Sequence, residues 1–221
     1  MEKSTKKRVT FYIDGFNLYF GLKSNGWKKY YWLDMVKFCS NFIKPDQDLI
    51  AVKYFSAIPK NHAGKRRRQA DLFNANQIDP KFQLFLGVYH KKSIRCQASC
   101  KEPFEIYTEK QTDINIAVEI FRDIINNNTD VVCLISGDGD LVPVVKFISN
   151  TANISQRVFV FTPPKRFLNE LRDNCHAFFN LERYSSYFDK SLFPETVTKP
   201  DSSIIKCPEY WNFGHLPKSK P

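Results

Sequence analysis

Short apolar runs alternate along this chain with longer segments whose apolar residues recur every three or four positions. The run "VTFYID" at 9–14 is expected to form a first strand, followed by a helix that starts near Phe16 or Asn17 and stops by Gly26. In "LDMVKFCSNFI", Leu33, Val36, Phe38, Phe42 and Ile43 keep a helical spacing that Pro45 ends. "LIAVKYFSAI" reads as a second strand, "GKRRRQADLFNANQI" as a basic helix with Ala70, Phe73 and Ile78 inward, and "FQLFLGVYH" as a third strand. "TDINIAVEIFRDIINN" carries the clearest helical period, with Ile116, Ile120 and Ile124 recurring beside Ala117 and Phe121. "VVCLIS" is apolar throughout, as strands covered on both faces are. "DLVPVVKFISN" is expected as a helix with Pro143 tolerated in its first turn, "RVFVFT" as a fifth strand, "KRFLNELRD" as a helix and "AFFNL" as a short edge strand.

Strand and helix patterns that alternate in this way predict an α/β fold: a mainly parallel central sheet between two helical layers, α/β/α. From about Tyr187 the pattern dissolves, and Pro194, Pro200, Pro208, Pro217 and Pro221 break any long element. Residues 1–186 are therefore read as one domain, with a basic, cysteine-containing loop at 90–107, and 187–221 as an irregular, Pro-rich extension that Trp211 and Phe213 could dock.

Four carboxylates interrupt this pattern where strands should end. Asp14 closes the first strand, Asp138 and Asp140 follow "VVCLIS" in "SGDGDLVP", and Asp113 opens the long helix on the same face as Ile116, Ala117 and Ile120. In an open α/β sheet, ligands bind beyond the carboxyl ends of the strands. Each acid taken singly has an ordinary explanation: Asp138 and Asp113 favour helix N-termini, and Asp14-Gly15 is turn chemistry. Four on one rim repel one another unless a cation lies between them, and oxygen-only ligands suit Mg²⁺ or Mn²⁺. Such an ion can supply a nucleophilic water and steady a phosphate, with Asn17 orienting a water or a phosphate oxygen.

Composition narrows the partner. The net charge is +10 over 221 residues, which favours an anionic partner, nucleic acid or a membrane surface. No apolar run approaches the length that spans a bilayer, and the basic N-terminus lacks a signal-type apolar segment, so a cytosolic protein with six reduced cysteines is expected. Lys65, Arg66 and Arg67 in "GKRRRQ", and Lys91, Lys92 and Arg95 in "HKKSIR", follow strands two and three and could track an RNA backbone toward the acids. Tyr19, Phe20 and Tyr89 could stack on bases, with core packing the readier role for Phe20. His90, Cys96 and Cys100 lie within eleven residues and could bind Zn²⁺, with His62 or Cys207 as fourth ligand; the plainer alternative is two reduced thiols in a surface loop.

The same segments resemble the NYN domain family, of the LabA-like branch, within the PIN-like nuclease superfamily. "FYIDGFNLYFGL" is similar to the family's first strand and Asp-Gly-x-Asn signature, "VKYFSAIP" and "RRQADLF" to its second strand and third helix, "EKQTDINIAVEI" to its Lys-x-x-Asp-Val-Asn helix start, and "SGDGDLVPVVKF" to its Ser-Gly-Asp-x-Asp-Phe motif. Ile114 and Leu141 depart from the pattern. The resemblance covers most of residues 8–183 and implies a metal-dependent ribonuclease fold with Asp14, Asn17, Asp113, Asp138 and Asp140 as the metal-site set. It adds Arg68 and Gln69 as matches to a family pattern and Lys110 as a phosphate contact. Three functions follow as expectations. The first is a Mg²⁺- or Mn²⁺-dependent ribonuclease, the second a non-catalytic RNA-binding or regulatory module. The third, phosphatase-like chemistry on a small substrate, is disfavoured by so broad a basic surface.

Overall fold

The computed structural model describes residues 6–59, 62–95, 102–212 and 214. Its strands are β1 (Lys7–Asp14), β2 (Gln47–Ser56), β3 (Phe82–Leu86), β4 (Val88–Arg95), β5 (Pro103–Lys110), β6 (Val131–Ile135), β7 (Arg157–Thr162), β8 (Ala177–Asn180), β9 (Thr196–Thr198) and β10 (Ile204–Lys206). Its α-helices are α1 (Gly15–Ser24), α2 (Met35–Ser40), α3 (Ala63–Asn76), α4 (Thr112–Ile125), α5 (Val142–Asn150), α6 (Asn169–Asn174) and α7 (Ser185–Lys190). Six strands form one sheet in the order β3-β2-β1-β6-β7-β8, and every neighbouring pair in it is parallel. The expected parallel α/β sheet is the one found.

Side chains alternate across a strand, and both faces of this sheet are covered. Val9, Phe11 and Ile13 of β1 pack with Leu18 and Leu22 of α1 and Phe38 of α2. Tyr12, one position over, faces Ile116 and Ile120 of α4 and Val145 of α5. The second layer holds a buried ionic group that the apolar reading of β2 passed over. Lys53 Nζ lies 2.8 Å from Glu119 and 2.7 Å from Asp123, and Tyr12 donates its hydroxyl to Asp123 at 2.5 Å.

Two segments differ from their sequence reading, and a third packs more closely than its composition suggests. The third strand does not run through to His90: it breaks at Gly87, and 88–95 and 103–110, partly expected as a loop, pair as the antiparallel strands β4 and β5. A Cβ on Gly87 would lie 2.7 Å from the Lys110 carbonyl oxygen, so the break requires glycine. The helix expected over 165–173 is α6, which starts at Asn169 and leaves 163–168 as a loop. Residues 187–212 carry only short elements, yet Phe188, Leu192, Ile205 and Trp211 belong to the first core. The segment is also bonded to the body: Trp32 Nε1 donates to the Pro194 carbonyl at 2.9 Å, and the Phe193 N–H to the Trp32 carbonyl at 3.1 Å. Phe213 lies outside the described residues. Among the described residues no helix is long and apolar enough to cross a membrane.

Candidate acidic site at the carboxyl ends of the strands

The chain leaves β1 toward β2 on one side, while β6 pairs with β1 on the other. Connections that part in this way open a crevice at the strand ends. Asp14 is the last residue of β1 and the N-cap of α1, its carboxylate accepting the Asn17 N–H at 2.9 Å. Gly15 permits the abrupt strand-to-helix turn, because a Cβ there would meet the Phe55 carbonyl oxygen and the Tyr54 ring at 2.6 Å. The other Asp14 oxygen accepts the Ser136 hydroxyl at 2.9 Å. Ser136 Oγ in turn accepts the Asp138 N–H at 3.0 Å, and Asn17 Oδ1 accepts the Gly137 N–H at 2.9 Å. The Asp-Gly-x-Asn and Ser-Gly-Asp segments are thus locked together across the crevice.

Asp113 reaches the same point from α4. Gln111 turns the chain out of β5 with φ 79°, a left-handed conformation uncommon outside glycine. Glu109 then accepts the Thr112 N–H at 3.0 Å and also its hydroxyl, capping the helix start. Asp14, Asp113 and Asp138 each offer a carboxylate oxygen, and the three atoms lie within 4.8 Å of one another. Burial pushes Asp14 up to about 6, with Asp113 and Asp138 adding to the rise against the hydrogen bonds from Asn17 and Ser136. Asp113 is likewise pushed up to about 6, by burial first and then by Asp138, Glu109 and Asp140. Clustered oxygen ligands with raised proton affinity can hold a metal ion. Asp140 is exposed, and it donates its N–H to the capping Asp138 carboxylate at 3.0 Å. Its carboxylate is not part of the group of three among the described residues.

The acids line a cavity of about 180 Å³ together with Asn17, Glu109 and Arg166. The sequence reading passed over Arg166. It lies beyond the carboxyl end of β7, on the rim the parallel-sheet rule singles out, in a loop without periodicity. A Cβ on Gly137 would lie 1.9 Å from the Arg166 carbonyl oxygen, so glycine alone lets the two loops meet. Arg166 Nε is buried and meets no hydrogen-bond partner among the described residues.

The remaining candidates are spread around this centre. Lys65, Arg66 and Arg67 are exposed on the first turns of α3. The Arg68 guanidinium lies 4.9 Å from the Tyr210 ring centroid. Gln69 donates to Ser56 Oγ at 2.9 Å and the Ala57 carbonyl at 3.3 Å, tying α3 to the end of β2. Lys91 pairs with Glu105 at 2.5 Å. By strand alternation it shares the face of Tyr89 and Tyr107, while His90, Lys92 and Lys110 occupy the other face of the hairpin. Arg95 is exposed at the far end of β4. Cys96 and Cys100 lie outside the described residues. Among the described residues no metal-ligand group gathers at His90, and the Cys207 thiol is buried beside the Pro208 carbonyl. Phe20, given to the core by sequence, is 43 % exposed, because Leu18, Gly21 and Leu22 form the buried stripe of α1.

A search of the solved structures finds a protein of unknown function from Vibrio parahaemolyticus RIMD 2210633, 20 % identical, with TM-score 0.55 over 81 % of this chain and 95 % of that one. At that identity the likeness concerns the fold. A comparison with curated proteins gives no match. The family model of the NYN domain matches residues 8–182, a span that contains all three clustered aspartates. Fold, site and family match agree: this chain belongs to the NYN domain family, within the PIN-like superfamily.

Proposed function

We propose that this protein is a metal-dependent ribonuclease that hydrolyses RNA phosphodiester bonds at Asp14, Asp113 and Asp138. The observation that carries the reading is the convergence of those three carboxylates within 4.8 Å. They would hold Mg²⁺ or Mn²⁺, which supplies a nucleophilic water and charge neutralisation at the phosphate. The oxygen-only donor set and the raised proton affinity of Asp14 and Asp113 fit that group.

The chain's own groups set the geometry. Ser136 and the Asn17 N–H fix the two oxygens of Asp14, and the Asp140 N–H fixes Asp138. Asn17 spends its carbonyl oxygen on Gly137, which leaves its amide N–H groups to bind a water or a phosphate oxygen. Arg166 places a guanidinium on the cavity wall, suited to the phosphate oxygens on which charge accumulates. Lys65 and Arg68 continue the positive surface along α3, and their contacts with backbone phosphates should show as salt-dependent binding. The reading suits a cytosolic enzyme with reduced thiols, and Cys39, Cys133, Cys175 and Cys207 are free.

The test is incubation of the purified protein with mixed labelled RNAs, with Mn²⁺ or with EDTA. Cleavage with Mn²⁺ that EDTA and Asp138→Asn both abolish is expected. Native-rate cleavage by Asp14→Asn and Asp138→Asn would remove the rim as the catalytic site. RNA binding without cleavage under any metal would favour a regulatory module.

A further inference from the structure

A second cavity, of about 530 Å³, opens beside the acids. Phe16 and Phe20 of α1 line both cavities, so the two are neighbours across one helix. The walls of the larger one are aromatic: Tyr19, Tyr31, Tyr89, Tyr107 and Tyr210 all line it. Lys23, Lys65 and Arg68 add positive charge, while Glu105, the acid on the wall, is paired with Lys91. Its size falls within the roughly 300–1,000 Å³ of small-ligand pockets.

Three features point to a ligand. Tyr19 and Tyr210 are 38 % and 65 % exposed, large rings left uncovered at the mouth of a cavity. The Arg68 guanidinium lies over the Tyr210 ring, a pairing of cation and π-face that nucleobases also use. Tyr31, only 6 % exposed, turns its hydroxyl to Tyr19 on the same wall, so the aromatic lining carries a polar edge inside the cavity. A ligand with a polar edge of its own can engage those hydroxyls. Aromatic faces, cations and tyrosine hydroxyls together match a base with its phosphate. A base inside a duplex has both faces stacked and its edge engaged, so an unpaired one is required.

We propose that this cavity receives an unpaired nucleobase of a single-stranded RNA whose adjoining phosphate lies at the acidic site; the assignment rests on the ribonuclease reading of that site. Tyr210 and Trp211 lie beyond residues 8–182, so the C-terminal segment completes the pocket with groups outside the family match. The tail is then part of substrate recognition.

The experiment uses the full chain in EDTA, with a single-stranded RNA oligonucleotide carrying 2-aminopurine, its perfect duplex, and free nucleoside monophosphates. Stacking on tyrosine quenches 2-aminopurine. The single strand is expected to be quenched and to bind at least roughly 10-fold more tightly than the duplex. Tyr19→Ala with Tyr210→Ala should abolish the quenching and weaken binding by about 10-fold or more, with an unchanged melting temperature, since stacking contributes strongly per base. Arg68→Ala, at a part-exposed position, repeats the test should the double variant melt early. Quenching that survives these substitutions, or equal affinity for the duplex, would overturn the proposal. So would a free mononucleotide that binds as tightly as the oligonucleotide. Absence of cleavage in Mn²⁺ with the quenching intact would remove the nuclease reading and leave the cavity as an RNA-binding site.

Discussion

The Ser136 hydroxyl donates to Asp14 at 2.9 Å and accepts the Asp138 N–H at 3.0 Å, so one oxygen joins two members of the acidic cluster. The carboxyl ends of β1 and β6 are thereby held in register before any cation arrives. Preorganisation of this kind matters because like charges placed together otherwise move apart or take up protons.

Ser136→Ala should therefore act twice. It removes a bond that holds the Asp14 proton affinity down and strands the Asp138 N–H. A stability loss of about 1–3 kcal/mol is expected for groups left unsatisfied, together with slower cleavage. Urea unfolding and single-turnover rates check it; stability and rate both at the native level would show that the bridge is incidental.

Acid should help the metal-free protein at this site. The folded carboxyls of Asp14 and Asp113 sit at about 6, above the 3.8 of an unperturbed Asp. Between those values the folded state binds more protons than the unfolded one, so this contribution favours folding more as pH falls. A metal ion held by the three carboxylates would compete with those protons, and its stabilisation would be largest above pH about 6. Melting in EDTA at about pH 5 and about pH 7.5 should show a relative gain at the lower pH that shrinks in Asp113→Asn, with millimolar Mn²⁺ raising the melting point chiefly at the higher pH. A variant whose EDTA pH profile matches the native one would refute the charge-repulsion account.

Much of the fold was legible because the strands under two helical layers are mainly apolar, and the runs of β1 and β6 lead to Asp14 and Asp138. Asp14 and Asp138 show what a one-dimensional reading misses. Capping and clustering look like rival explanations along the chain, yet each residue does both, since the N-terminal turns they cap start inside the crevice. The hairpin of β4 and β5 escaped notice because Lys91, Lys92 and Ser93 interrupt any apolar face. Arg166 was invisible for a different reason: its placement depends on the missing side chain of Gly137, about thirty positions earlier in sequence. Glu119 and Asp123 share the buried face of α4 with Ile116 and Ile120, and the fold brings Lys53 opposite them.

That buried group gives a prediction away from the site. Lys53→Ala would leave Asp123 without its cation and Glu119 with only the exposed Arg122, in a layer where both acids are about 5 % exposed. Removing one partner of a buried ion pair costs roughly 3–5 kcal/mol. The triple change Lys53→Met, Glu119→Leu, Asp123→Leu removes the three buried charges and should recover part of that loss, the Tyr12 hydroxyl and Arg122 losing their acceptors. Chemical denaturation of both variants decides; a mild single variant would mean water reaches the pocket.

Arg166 is the sharpest test of how the site treats phosphate. Its loop is pinned where the Gly137 backbone touches its carbonyl, and its side chain lines the cavity of the acids with Nε unpartnered. A guanidinium aimed at developing phosphate charge acts in the transition state more than in binding. Arg166→Met should therefore lower kcat on the order of 10²-fold with KM changed little. Arg166→Lys should restore part of the rate, because a lysine offers the charge without the planar fork. Gly137→Ala should reproduce the kinetic defect from the other side, by forcing the two loops apart, while also lowering the melting temperature. Steady-state kinetics on one RNA substrate separate the outcomes: a rise in KM alone would make Arg166 a binding contact, and native kinetics in both Arg166 variants would remove it from the reaction.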